Sequence, residues 1–97
     1  MTFDEFLPEY LAAHADRRTQ VMHAAGTIAG SLLLLRALVT RRPRLVLVAL
    51  AAGYLPAWFS HAVFERNVPK TFGAPLFSLR GDFVMAYRLL RGRLPSR

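Results

Sequence analysis

The sequence predicts an all-α membrane protein: a transmembrane helical hairpin, preceded by an N-terminal amphipathic helix and followed by a C-terminal interfacial helix. Three observations carry this reading. Two long apolar runs, residues 21–39 and 45–64, contain one full charge between them, Arg36. The chain is 54% hydrophobic and still 20% charged, so its charges are segregated from its apolar residues. A basic segment with a helix-stopping proline, Thr40-Arg-Arg-Pro-Arg44, separates the two runs. Each run is about 20 residues, roughly 30 Å as helix, which is enough to cross a bilayer core. The rival pattern is a soluble bundle or the core of an obligate oligomer. It fits less well, because a single domain of 97 residues has little protein left to cover both runs.

The elements follow in order. Phe3, Phe6, Leu7, Tyr10, Leu11 and His14 fall on one helical stripe, predicting an amphipathic helix over about residues 3–15. Thr2 and Glu5 have the spacing of a capping box, whereas Pro8 would suit the first position of a helix that begins there. Asp16 or Thr19 can cap a new helix, so a break is expected between His14 and His23. The membrane helices are predicted at about 20–40 and 44–65. Residues 66–77, rich in Pro and Gly, read as an ordered loop. Ser78 or Asp82 can cap a last helix over about 79–94, with Phe83, Ala86, Tyr87, Leu90 and Leu94 on one face and Arg88 and Arg91 off it, as on a helix lying on anionic lipid.

Composition narrows the function classes. Thirteen basic residues against six acidic ones leave a formal charge of +7. Two apolar runs between basic flanks assign that charge to a membrane surface and not to nucleic acid. With no cysteine, disulfides, thiolate metal sites and thiol nucleophiles are all excluded. The acidic start lacks the basic segment of a secretory signal. The preference for Arg over Lys and the abundance of Ala are those of a GC-rich bacterial genome, which would place the hairpin in a bacterial inner membrane. Arg17, Arg18, Arg66, Lys70 and Arg80 flank the side bearing the termini, against Arg41, Arg42 and Arg44 in the turn, so both termini are expected in the cytoplasm. A homo-oligomer is compatible with the same pattern.

The three histidines, His14, His23 and His61, are the chemistry-bearing residues. If the hairpin turns about Arg42, His23 and His61 lie at one depth, about 28 Å from the turn. By the same count Gly26 is level with about Trp58 and Gly30 with Tyr54. Gly26 and Gly30, with Ala49, Gly53 and Ala57, supply small-residue spacing that lets helix backbones approach. A break after His14 lets it fold back to the same depth, and Glu65 shares the helix face of His61. Three imidazoles and one carboxylate can thus converge at the membrane surface. Ionisable groups at such depth are functional candidates, although each also has a plain reading as a packing residue or a surface pair.

Four motifs occur in order: Tyr10-Leu-Ala-Ala-His14, His23-Ala-Ala-Gly-Thr27, His61-Ala-Val-Phe-Glu-Arg-Asn-Val-Pro-Lys-Thr-Phe72, and Pro75-Leu-Phe-Ser-Leu-Arg-Gly-Asp-Phe83. In these the chain resembles the small membrane family typified by the fungal endoplasmic-reticulum 2-hydroxy-fatty-acid dioxygenase, over nearly its whole length. The resemblance implies an Fe(2+) cofactor, O2 as co-substrate, and a 2-hydroxy fatty acid or related lipid shortened by one carbon. It implies His14, His23 and His61 as iron ligands; Glu65, on the helix face of His61, is expected as a fourth ligand or an orienting group. Arg66 and Arg80 are candidates to hold the substrate carboxylate. Where the family usually has an asparagine between the first two histidines, this chain has Thr19. Two other functions fit the residues: a b-type haem held by His23 and His61, and a non-enzymatic adaptor with structural histidines.

Overall fold

Two long antiparallel helices form the frame, and two shorter ones fold over one end of it. The computed structural model describes residues 1–97. Helix α1 spans Phe3–Ala12, α2 Arg17–Thr40, α3 Pro43–Ser60 and α4 Pro75–Leu90, and no strand is present. A single π-helical turn, His61–Glu65, continues α3, and a 3-10 turn, Lys70–Phe72, lies in the loop before α4.

The capping box at the N-terminus forms. Thr2 Oγ1 accepts the Glu5 N–H at 3.2 Å, and the Glu5 carboxylate accepts the Thr2 N–H at 3.4 Å. The helix therefore starts at Phe3 and not at Pro8. The proline is tolerated inside it because the carbonyl left without its donor belongs to exposed Asp4. Helix α1 stops at Ala12, before the expected residue 15, as His14 N–H turns back to the Leu11 carbonyl at 3.1 Å. The expected break follows: Asp16 caps α2, its Oδ1 accepting the Arg18 N–H at 2.8 Å.

Helix α2 has 24 residues and ends where Arg41 takes the left-handed conformation, φ 54°. Pro43 then opens α3 at its first turn. The two helices meet along the small-residue seam. A Cβ on Gly26 would stand 3.0 Å from the Ala52 carbonyl oxygen, and one on Gly30 would stand 3.0 Å from that of Ala49. Gly26 thus faces Ala52 and Gly53, more than a turn closer to the helix connection than Trp58, the partner expected from counting. His23 and His61 still meet, because side chains lean toward the N-terminus of their own helix and so lean toward each other across an antiparallel pair.

Both long helices are apolar enough to cross a bilayer, and their apolar windows are only 22% and 17% buried. Their outer faces, including Leu32, Leu35, Leu38 and Leu47, are bare. A soluble core helix would be mostly covered. The packed core lies elsewhere: Phe3, Phe6 and Tyr10 of α1 close on Met85 of α4 and Leu94 of the tail. Helix α4 starts at Pro75, earlier than a cap at Ser78 or Asp82 would allow, because a proline in the first turn already has helical φ. Its expected apolar face is divided. Ala86 is buried beside Ser78, Gly81 and Met85, whereas Tyr87 and Leu90 point outward and Phe83 is half-exposed.

Candidate metal centre

Three elements each bring one imidazole to the packed end of the hairpin. His14 comes from the turn after α1, His23 from the second turn of α2, and His61 from the start of the π turn. All three are buried. Nε2 of His14 stands 3.1 Å from Nε2 of His23 and 3.0 Å from Nε2 of His61, and the three nitrogens lie within 4.8 Å of one another.

The opposite ring nitrogens decide what that means. Nδ1 of His14 donates to the Tyr10 carbonyl at 2.6 Å, Nδ1 of His23 to the Thr19 carbonyl at 2.9 Å, and Nδ1 of His61 to Asn67 Oδ1 at 2.6 Å. These acceptors have no proton to offer, so each ring carries its proton on Nδ1 and presents a bare lone pair at Nε2. Burial keeps His14 neutral, lowering its pKa from 6.5 to about 3, with His23 adding to the effect. Three lone pairs aimed at each other repel unless a cation sits among them. Two nitrogens bound to one ion at right angles stand about 3 Å apart, given metal–nitrogen bonds of about 2.0–2.1 Å. Two of the three spacings match that separation, so the donor set suits a divalent transition metal.

Glu65 lies at this end but is not among the converging side chains. Its carboxylate accepts the N–H groups of Ala15 at 3.2 Å and Asp16 at 2.9 Å, and it pairs with Arg97 at 3.6 Å. Its work is to clamp the α1–α2 turn that carries His14. Neither arginine singled out from the sequence reaches the trio. Arg80 lies 4.1 Å over the Phe3 ring, and Arg66 is exposed at the left-handed cap of the π turn. The cation that does line the pocket is Lys70, with Thr71, Ser78, Asp82 and Tyr54 around it.

Several supports were not legible as such. Asn67 orients His61 and also donates to the Ala13 carbonyl at 3.1 Å, tying the π turn to the end of α1. The Gln20 amide donates to the carbonyls of His14 at 2.8 Å and Pro95 at 2.9 Å. Tyr10 stacks on His14 with centroids 4.1 Å apart, and its hydroxyl donates to Asp82. Gly81 makes room for this: a Cβ there would stand 3.1 Å from the Tyr10 ring. Burial raises the Asp82 carboxyl to about 6 and pushes the Tyr10 hydroxyl well above its usual range. Thr19 orients His23 through its backbone, while its hydroxyl is buried without a partner. The signal for Asn67, Gly81 and Asp82 was their place inside the quoted motifs.

Fold and site together define a class: an all-α protein with a buried tri-histidine cluster at one end of an apolar helical hairpin. A family model described as 2-hydroxy-palmitic acid dioxygenase Mpo1-like matches residues 1–94, and the chain belongs to that family. No curated protein and no solved structure matches it.

Proposed function

We propose that this protein is a membrane-embedded, iron-dependent dioxygenase that shortens 2-hydroxy fatty acids by one carbon. The observation that carries the reading is the convergence of three Nε2 lone pairs, each set by a hydrogen bond at Nδ1, in a chain of this family. In the reaction the substrate and one O2 become the next shorter fatty acid, CO2 and water, with the bond between the carboxyl carbon and the hydroxyl-bearing carbon broken. Bound Fe(II) would supply the one-electron chemistry toward O2 that protein side chains lack. His14, His23 and His61 would hold it, and the Tyr10 carbonyl, the Thr19 carbonyl and Asn67 keep those rings turned toward it. Tyr10 covers His14 on the α1 side and keeps water from that face. The bare faces of α2 and α3 support a position in the bilayer, where a lipid acid is already concentrated.

A haem between His23 and His61 fits poorly. Nε2 of His14 stands in the space a porphyrin would occupy, 3.1 and 3.0 Å from the two nitrogens. Anaerobic purification with metal analysis, followed by O2 uptake on a series of 2-hydroxy fatty acids, tests the proposal. Iron and turnover are expected together in the native protein and neither in His61→Ala. Full iron content in His61→Ala would refute the ligand assignment, and iron without O2 uptake on any acid of the series would refute the activity.

A further inference from the structure

An apolar groove of about 270 Å³ runs between α2, α3 and α4. Its floor is the glycine seam, with Gly30 and Gly53, and its walls include Leu34, Leu50 and Phe83. At one end Tyr54 and Asp82 line both this groove and the small polar pocket that holds the histidines. At the other end Leu34 and Leu50 belong to the bare half of the hairpin. The groove therefore grades from apolar to polar along its length and points at the trio.

Two residues at the polar end have no partner. Lys70 is half-buried, lines the histidine pocket and has no carboxylate within ion-pair distance. Ser78 is 2% exposed, lines the same pocket, and its hydroxyl has no hydrogen-bond partner. A lone cation and a lone hydroxyl beside an apolar channel call for a carboxylic acid with one alkyl tail.

We infer that a single-chain fatty acid binds with its tail in the α2–α3–α4 groove and its carboxylate on Lys70, with Ser78 donating to the same head group. This rests on the proposed substrate class and assigns where that substrate lies and which side chains read it. Lys70 takes the place that sequence reading gave to Arg66 and Arg80. From Gly26 to Leu34 the groove follows α2 for about 12 Å. At the roughly 1.2 Å per bond of an extended chain, that covers about ten carbons. Longer tails run out past Leu34 and Leu50 into lipid.

The test does not need turnover. A 2-hydroxy hexadecanoic acid carrying a diazirine at mid-chain is irradiated with the intact protein in phospholipid nanodiscs, and the labelled residues are mapped by mass spectrometry. Labelling is expected at Leu34, Leu50 and Phe83, and excess unlabelled 2-hydroxy hexadecanoic acid should suppress it. Equal labelling of the outward residues Leu32, Leu35 and Leu47, with no competition, overturns the inference. Lys70→Ala should raise the concentration for half-maximal groove labelling about ten- to a hundredfold, with Lys70→Arg restoring most of the loss. Unchanged half-saturation in Lys70→Ala overturns the head-group assignment. If groove labelling is found but the native protein consumes no O2, the activity fails and the lipid site stands.

Discussion

The two ends of the hairpin are built on opposite principles. At the turn end the fully buried residues are small, Ala37 and Ala49, and leucines such as Leu35, Leu38 and Leu47 face outward, 58%, 65% and 68% exposed. At the other end, α1, α4 and the tail wrap the same two helices, and Tyr10, His14, His61 and Met85 are all 1% exposed or less. The tail is part of this wrapping. Arg97 N–H donates to the Ala15 carbonyl at 2.8 Å, and Arg17 donates to the Leu94 carbonyl at 2.8 Å. One end leaves its apolar side chains bare and the other makes its own interior. Only an interior, with its fixed carbonyl acceptors, can hold three imidazoles in one tautomer and one orientation.

Substitutions graded along this contrast should separate the two ends. The largest effect belongs to the trio: His14→Ala should lose at least about a hundredfold in metal affinity, since a lost ligand costs more than a lost orienting partner. Metal titration of the purified variant measures it. Next, Met85→Ala should destabilise the packed end by about 2–5 kcal/mol, seen in denaturation from detergent micelles. Asn67→Ala should weaken metal binding about ten- to a hundredfold while leaving the helical content unchanged by circular dichroism, because it frees the His61 ring without removing it.

Smaller effects probe the turn end. Gly30→Leu pushes a side chain against the Ala49 carbonyl and should cost about 1–3 kcal/mol, with Gly30→Ala costing less. Leu38→Ala should change stability by less than about 0.5 kcal/mol, because its side chain is already bare in the packed hairpin. A loss at Leu38 as large as that at Met85 would mean that a second protein surface covers the turn end, and the contrast between the two ends would fail.

Much of this arrangement could be read in advance, residue by residue. The capping box at Thr2, the helix break at Asp16 and the proline opening α3 are local events, decided within a few residues by hydrogen-bonding side chains and fixed φ. Small-residue spacing and the break after His14 permitted the glycine seam and the convergence of the histidines, although the count set Gly26 against Trp58 and not Ala52 and Gly53. The failures were also specific. Pro8 offered a rival helix start, but the capping box of Thr2 and Glu5 satisfied the free N–H groups ahead of it. Ser78 and Asp82 looked like caps because both residue types favour that position, but Pro75 started the helix ahead of them. Glu65 was placed on the face of His61 by an α-helical count, whereas the chain there is a π turn, and its carboxylate meets the amides of Ala15 and Asp16.

The sequence by itself determined the apolar hairpin, its caps and the residue types at the site, because periodicity, propensity and charge segregation are properties of neighbouring residues. It left open which groups would be partners across the fold. That Asn67 orients His61, that Lys70 and not Arg66 or Arg80 lines the histidine pocket, and that Gly81 exists to admit the Tyr10 ring were decided only by tertiary packing. Such contacts join residues far apart in the chain, and a side chain's direction within about 3 Å depends on every helix packed around it.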